Sequence, residues 1–177
     1  MKFALLLMAL LASPIQAQEF HWGVHFGPVV PVGDLAKVTG TTPGLGGDLH
    51  LLIDFGGAHA LRARLGGMNF SSVTDSGGGR QKVQATSGAF DYLWFADDTS
   101  ASGFYLLCGA DWTRWRTDHS GIFVGAAQET QDSLGGTFGF GYQFTRVVGV
   151  EASFFQSRFR QTQGSANGIM VGFSYRP

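Results

Sequence analysis

The sequence has little that could cross-link the chain or bind a metal ion through sulfur. Cys108 is the only cysteine among 177 residues, which excludes an intramolecular disulfide framework and any multi-cysteine metal site. Charged residues make up 14% of the chain, against about 25% in an ordinary soluble domain. The 12 basic and 13 acidic residues nearly balance, so the sequence offers no basic surface for nucleic acid.

Proline is also scarce, and no glycine repeat at every third position is present. The chain has 5 prolines and 27 glycines, and without that repeat a collagen-like structure is excluded. Hydrophobic residues make up 44% of the sequence and aromatic residues 14%, which excludes a disordered chain. The length favours one compact domain, whose surface must be unusually uncharged.

The amino terminus has the layout of a secretory signal peptide. Lys2 is followed by an apolar run over residues 3–12, a helix-breaking Pro14 and a small residue at Ala17. A transmembrane helix needs about 20 apolar residues, roughly twice this run, and no later stretch is longer. We therefore predict a signal peptide over residues 1–17 and a mature domain over 18–177 that begins at Gln18.

From Phe20 onward, bulky apolar residues alternate with small or polar ones, which is the period of a β-strand. The sixth segment shows this best, since Phe138, Phe140, Tyr142 and Phe144 are separated by glycines and Gln143. Each segment is roughly as long as a tilted membrane strand. Eight such segments occur, around residues 20–26, 45–55, 61–65, 90–94, 104–112, 134–144, 148–154 and 169–175.

The connections between these segments alternate in length. Those near residues 56–59, 96–102 and 145–146 are the shorter ones, whereas the segments 28–43, 71–82, 116–131 and 158–165 are longer and polar or glycine-rich. Short turns at one end and long loops at the other are typical of an outer-membrane barrel with periplasmic turns. The sequence therefore predicts an all-β, eight-stranded antiparallel up-and-down transmembrane β-barrel.

The composition of the two strand faces indicates which one lies outside. A soluble eight-stranded barrel such as a lipocalin would turn its apolar face inward and carry a charged exterior. Here the face opposite the bulky residues is mostly glycine, serine, threonine and histidine, which fits a narrow barrel interior. The bulky face therefore meets lipid, and on this face we expect Cys108.

Aromatic residues are expected in two bands at the ends of the strands, where rings sit well at headgroup depth. Phe20, Trp22, Phe173 and Tyr175 are among those of the periplasmic band. The residues predicted for the opposite band are Met68, Phe70, Trp112, Trp115 and Phe159.

The segments 139–144 (GFGYQF) and 147–155 (VVGVEASFF) resemble the last hairpins of the small outer-membrane β-barrel family. That family includes the transmembrane domain of outer membrane protein A. The resemblance implies the outer membrane of a Gram-negative bacterium and insertion by the barrel assembly machinery. The sequence departs from the family's usual ending, because Tyr175 is followed by Arg176 and Pro177 and because Met170 occupies the position of the usual glycine.

Few combinations of residues suggest catalysis or metal binding. A lipid A-modifying acyl-transfer barrel would need a nucleophile, a histidine and an acid within hydrogen-bond reach. The only adjacent pair is His119-Ser120, in a predicted loop. His21 and His25 share a face but lie about 13 Å apart along a strand, and Asp48 with His50 supplies only two ligands. We therefore expect no catalytic residues, no metal site and no cofactor.

Charged residues on the inward face form the one candidate site. Arg62 and Arg64 lie two residues apart and should project into the lumen about 7 Å from each other. Buried charges require partners, since an unpaired ion costs several kcal/mol. The predicted interior ion network consists of Arg62, Arg64, Asp48, Asp91, Asp111 and Glu151. Asp48 and Asp91 are the expected first partners of the arginines, with Glu151 and Asp111 within reach across the narrow lumen. The network either fills the lumen or, as an alternative, gates a narrow pore.

These observations predict a non-enzymatic outer-membrane barrel with a structural, surface-interaction or adhesion role. The alternatives are a small gated channel and a lipid A-modifying acyl-transfer enzyme. The expected partners are outer-membrane lipids, the barrel assembly machinery during insertion and an extracellular partner of the long loops, but not nucleic acid. The apolar segment 121–127 is a candidate for such a contact.

Overall fold

The computed structural model describes residues 19–74, 78–97, 99–121, 125–159 and 164–177. The predicted signal peptide and the predicted start at Gln18 lie outside these residues. No helix in these ranges is long and apolar enough to cross a membrane.

The described residues form nine strands and one short helix. In chain order these are β1 (Glu19–Val32), α1 (Asp34–Thr39), β2 (Gly44–Asp54), β3 (His59–Asn69), β4 (Val73–Thr74), β5 (Arg80–Phe95), β6 (Gly103–Gly121), β7 (Gly125–Gln143), β8 (Val148–Phe159) and β9 (Gly164–Tyr175). The eight long strands pair antiparallel with their neighbours in the chain, and the sheet closes where β1 pairs with β9. β3 pairs directly with β5, and the two-residue β4 pairs with the first residues of β5, beyond the end of β3. The predicted eight-stranded up-and-down barrel is confirmed.

Side chains alternate between the outer wall and the lumen as the sequence predicts. On β6, Phe104, Leu106 and Cys108 are exposed on the outer wall, while Tyr105 and Leu107 are buried inside. Large apolar side chains are similarly exposed around the barrel, with Phe90 at 74% and Leu134 at 77%. We call these exposed residues the apolar belt. Its members include Phe20, Trp22, Phe26, Leu49, Leu51, Leu61, Leu65, Phe90, Tyr92, Leu106, Trp112, Leu134, Phe138, Phe140, Val171 and Phe173.

The prediction of a long loop over residues 116–131 is wrong. β6 continues to Gly121 and β7 begins at Gly125, so the two strands form a hairpin that extends well beyond the apolar belt. Arg116 and Asp118 are paired across it with Thr130 and Gln128. A strand in water can carry polar residues on its outer face, so the apolar alternation disappears although the strand continues.

Two other predicted loops are shorter than expected. β1 runs to Val32, where the sequence predicted a loop from Pro28, and the connection to β2 contains α1. β5 begins at Arg80, before the expected loop end at residue 82. The strands therefore extend further on the side of the barrel that carries α1, which we call the long-loop end; the other side is the short-turn end.

The prediction for the aromatic band at the long-loop end is only partly correct. Trp112 is exposed on the outer wall, but Phe70 and Trp115 are each 1% exposed inside the barrel, and Met68 packs against the same inner cluster. Trp115 lies three residues after Trp112, so strand alternation turns the two rings to opposite faces. The side chain of Phe159 is outside the described part of the structure.

Candidate functional site: the barrel lumen

Arg62 on β3 joins two carboxylates in the middle of the lumen. Its Nε donates to Oδ2 of Asp91 at 2.9 Å, on the neighbouring strand β5. Its Nη1 and Nη2 donate to Oε2 and Oε1 of Glu151 on β8, at 2.6 Å and 3.1 Å. All three side chains are almost completely buried, since none exposes more than 3% of its surface. The planar guanidinium suits this arrangement because it offers several N–H donors in fixed directions.

Arg64 shares Asp91 with Arg62. Its Nη2 donates to Oδ1 of Asp91 at 3.0 Å, while its Nη1 lies 3.6 Å from Oδ2 of Asp48 on β2. Asp91 thus contacts both guanidinium groups, which offsets the repulsion expected between two arginines on the same strand face. The structure brings these two arginines together with Asp48, Asp91 and Glu151.

Asp111 stands apart from these pairs. Its carboxylate accepts hydrogen bonds from Thr113 at 2.9 Å and Thr137 at 3.3 Å. No ion pair links it to an arginine within the described ranges. Hydroxyl donors on β6 and β7 satisfy the carboxylate instead, and they lie on the inward face beside it.

Three further lumen residues were not included in the predicted network. Tyr105 on β6 donates its hydroxyl to Oε2 of Glu151 at 2.9 Å. Nδ1 of His25 lies 3.4 Å from Oδ2 of Asp48, and Nδ1 of His50 lies 3.3 Å from the other oxygen. Strand alternation places all three residues inside, but it gives no information about which side chains meet across the lumen. Among the described residues, no group of three potential metal ligands is arranged to hold an ion.

An apolar cluster lies above the ion pairs at the long-loop end. Its buried members are Val29, Leu35, Phe70, Val83, Ala85, Trp115, Ala166 and Met170. Trp115 donates its indole N–H to Oγ of Ser157 at 3.1 Å, so burial leaves its polar group satisfied. Only Val29 and Leu35 of this cluster lie in segments that the sequence predicted as loops.

The helix α1 contributes to this cluster by placing Leu35 in the mouth of the barrel, where the side chain is fully buried. Asp34 accepts a hydrogen bond from Lys37 at 2.7 Å and one from the backbone N–H of Ser165 at 3.4 Å. These hydrogen bonds, the one from Lys37 above all, lower the pKa of Asp34. The helix is thereby connected to the start of β9.

The short-turn end is closed by a second cluster and by an arginine. The cluster consists of Leu52, Ala60, Leu93, Phe95, Tyr105 and Leu107. Arg176, 7% exposed, donates its Nη2 to the carbonyl of Ser100 at 2.8 Å, and its backbone N–H bonds the carbonyl of Val147 at 2.7 Å. The residue that departs from the family's usual ending is therefore folded against the short turns.

The two cavities beside the ion pairs are small, whereas one of about 240 Å³ opens at the short-turn end between His21, Asp54 and Arg176. One of about 10 Å³ lies beside Arg62 and Arg176, and one of about 50 Å³ lies between Arg64, Asp111 and Met170. These volumes correspond to one and to a few water molecules. The lumen is therefore packed in three layers: an apolar cluster, the ion pairs and a second apolar cluster.

The His119-Ser120 pair has no catalytic geometry. The two residues are consecutive on β6, so their side chains point to opposite faces of the strand. The lumen contains another combination, Ser174 directly opposite His25 on the paired strands β9 and β1, with Asp48 beside His25. Ser174 is 4% exposed and His25 is 1% exposed, so this group is sealed from any substrate.

Comparison with known proteins identifies the fold. The chain matches no protein-family model, and no functionally curated protein matches its sequence. Its structure is similar to that of Ail, the attachment invasion locus protein of Yersinia pestis, with a TM-score of 0.62 at 15% identity over 90% of this chain and 99% of that one. The Ail crystal was a complex with the heparin analogue sucrose octasulfate.

Two further solved structures have the same architecture. The N-terminal β-barrel domain of Pseudomonas aeruginosa OprF has a TM-score of 0.60 at 8% identity, covering 90% of this chain and 99% of that one. Neisserial surface protein A has a TM-score of 0.57 at 14% identity, covering 91% and 98%. The fold of the chain is thus that of the small eight-stranded outer-membrane β-barrels, as the resemblance of its last hairpins implies.

Proposed function

We propose that the protein is a non-enzymatic barrel of the Gram-negative outer membrane, with a structural or surface-interaction role carried by its long-loop end. The observation that carries this proposal is the combination of an apolar belt outside with a lumen filled by ion pairs between two apolar clusters. Lipid is the solvent that accepts the belt, because all backbone polar groups of a closed barrel are paired internally. Insertion by the barrel assembly machinery is part of this proposal.

The packed lumen favours a structural role over a channel. An ion crossing the barrel would have to pass Trp115 and Phe70 at one end and Leu93 and Phe95 at the other, all buried in the apolar clusters. It would also have to break the Arg62–Glu151 pair. Opening such a path requires the rearrangement of three layers at once.

The outer surface likewise favours a non-enzymatic role. Acyl transfer to a lipid needs a nucleophile and a base that the lipid can reach from the membrane. His119 and Ser120 face opposite sides, and Ser174 with His25 is enclosed in the barrel. The described outer wall therefore supplies no such pair at the positions that the sequence suggested.

The β6–β7 hairpin is the best candidate for contact with an extracellular partner. Residues 127–130 on β7 are exposed, and both strands carry charged and hydroxyl side chains above the apolar belt. The fold relative Ail binds a sulfated heparin analogue. For the present chain we propose only that the hairpin is the contact surface.

Four measurements test this proposal together. The protein should fractionate with outer membranes, show no single-channel conductance in planar bilayers and leave the mass of lipid A unchanged on expression. A shortened hairpin, joining Asp118 to Gln128 through a two-residue turn, should preserve the folded barrel and abolish partner contact in a whole-cell binding assay. Steady conductance would favour the channel, a lipid A mass shift would favour the enzyme, and recovery as a soluble periplasmic protein would refute the membrane assignment.

A further inference from the structure

The outer wall around β2, β3 and β5, flanked by residues of β1, β6 and β7, contains a groove that crosses the upper edge of the apolar belt. It consists of a lower cleft of about 510 Å³ and an upper cleft of about 670 Å³. The two adjoin, since consecutive outward residues of one strand line first the lower cleft and then the upper one: Leu49 and Gly47 on β2, Leu65 and Gly67 on β3. The groove therefore runs along the wall toward the long-loop end.

The lower cleft is apolar. Its sides are formed by Trp22, Leu49, Leu65 and Phe90, which are 59%, 63%, 73% and 74% exposed. Its floor includes Gly88, which has no side chain to cover these neighbours. The result is a channel between large side chains that a flexible hydrocarbon chain can fill, because a chain lying in it contacts more apolar atoms than a chain on a flat wall.

The upper cleft contains the polar and positively charged side chains of the groove. Asn69, Gln84, Arg114 and Arg116 are among its lining residues. Arg114 lies over the Trp112 ring with its guanidinium carbon 5.2 Å from the ring centroid, which places this charge directly above the apolar belt.

The cations on this wall outnumber the acids. Arg114 pairs with Asp132 at 2.8 Å and Arg116 with Asp118 at 3.0 Å, while the outward face of β5 adds exposed Lys82. Both pairs are solvent-exposed, with half of each guanidinium-bearing side chain accessible. Exposed pairs contribute little to stability, so a competing anion can displace these carboxylates at small cost.

We propose that this groove binds one membrane lipid with a phosphate headgroup, its acyl chain in the lower cleft and its phosphate against Arg114 and Arg116. The charge of the upper cleft complements the phosphate, and guanidinium groups can bind phosphate oxygens through two parallel hydrogen bonds. The apolar lower cleft complements the acyl chain. A free phosphate ion would use only the upper cleft, and a neutral lipid only the lower one.

Gly88 provides a direct way to block the groove. A Cβ at this position would meet only the Leu65 Cδ2 at 3.5 Å and the Arg64 carbonyl at 4.0 Å. A larger side chain can therefore project outward from the wall at this position. Gly88→Phe therefore fills the lower cleft, and Gly88→Leu is a smaller second variant. Gly136→Phe is the matched control, since a Cβ there would meet only the Gly109 carbonyl at 3.6 Å and Gly136 does not line either cleft.

The test is native mass spectrometry of the folded barrel in detergent with dioleoyl phosphatidic acid, with dioleoylglycerol or with inorganic phosphate. We expect the wild type and Gly136→Phe to retain one phosphatidic acid, and both Gly88 variants to lose at least tenfold in affinity. Arg114→Gln with Arg116→Gln should reduce phosphatidic acid binding to the level of dioleoylglycerol. Heat-modifiable migration on a cold gel shows that each variant is folded.

Three results would overturn the proposal. Equal retention of phosphatidic acid by the wild type and the folded Gly88 variants would show that the lower cleft holds no acyl chain. Equal retention of phosphatidic acid and dioleoylglycerol by the wild type would remove the role of the phosphate. Tight binding of inorganic phosphate alone would replace the lipid with a simple anion site.

Discussion

Arg62 and Glu151 form two hydrogen bonds, of 2.6 Å and 3.1 Å, between strands that lie on opposite sides of the barrel. Three strands separate β3 from β8 in either direction around the wall. The pair therefore connects opposite walls through the lumen, in addition to the backbone hydrogen bonds that connect neighbouring strands. Both side chains are buried, so removal of either leaves the other charge without its main partner.

We predict that Arg62→Ala strongly lowers the free energy of unfolding. Removing one member of a buried ion pair costs about 3–5 kcal/mol, because the remaining charges lose their partner. Arg80→Ala changes an exposed residue at the start of β5 and should have little effect. The measurement is the heat-modifiable shift on a cold gel across a urea series. Equal midpoints for the two variants would mean that water solvates Arg62 and would favour a conducting lumen.

A paired substitution should recover part of that loss, and the structure indicates which partner to change. Arg62→Met with Glu151→Leu removes both ends of the cross-lumen pair and leaves Asp91 bound to Arg64. Arg62→Met with Asp91→Leu leaves Glu151 and Arg64 without a main partner and should recover less. The same urea series ranks the two double variants, and the reverse order would contradict the assigned pairing.

We predict that Tyr105→Phe lowers the free energy of unfolding by about 1.5–3 kcal/mol, because the hydroxyl donates to the buried carboxylate of Glu151. Tyr92→Phe is the control, since its hydroxyl contacts His59 on the exposed outer wall at 2.6 Å. We expect about 1 kcal/mol or less for this control. If both variants unfold at the same urea concentration, the Tyr105 hydroxyl does not stabilise the buried Glu151 carboxylate.

Trp115→Ala should be far more destabilising than Trp112→Ala, although the two residues lie three positions apart on β6. Trp115 is 1% exposed within the upper apolar cluster, and removal of a buried Trp side chain costs about 3–5 kcal/mol. Trp112 is 40% exposed on the outer wall, so its removal leaves no internal cavity. Urea midpoints of both variants provide the test. A larger effect of Trp112→Ala would contradict the assignment of Trp115 to the lumen and of Trp112 to the outer wall.

We predict that Cys108 resists a membrane-impermeant thiol reagent in intact vesicles and reacts after unfolding, because it lies on the outer wall within the apolar belt. Thr130→Cys in a Cys108→Ser background should react at once, since residue 130 is exposed on the projecting hairpin. Rapid reaction of native Cys108 would show that this part of the wall is not covered by lipid.

The strand pattern was largely predictable because each residue of a strand faces one side of the wall or the other. The inward placement of Arg62, Arg64, Asp48, Asp91 and Glu151 follows directly from that alternation. Their pairing followed only in part. Asp91 binds both arginines and Asp48 lies near Arg64, as expected for the first partners. Glu151 is an equal partner of Arg62 from across the lumen, and Asp111 is bound by two threonines instead of an arginine.

The errors at the long-loop end have a common cause. Above the apolar belt the outer wall meets water, so residues such as Arg116 and Asp118 can occupy a strand and the alternation that marks strands disappears. Phe70 and Trp115 were assigned to the outer rim from their place along the chain, although the inward face at this height is apolar.

The sequence by itself determined the number of long strands, the face that meets lipid and the charged residues that enter the lumen, because these depend on local periodicity and on the solvent that each face requires. The tertiary structure decided which inward residues meet across the lumen, how α1 and Arg176 cover its ends and how two clefts combine into one groove. Such contacts depend on the register of strands that are distant in the chain, and an alternation of period two carries no information about that register.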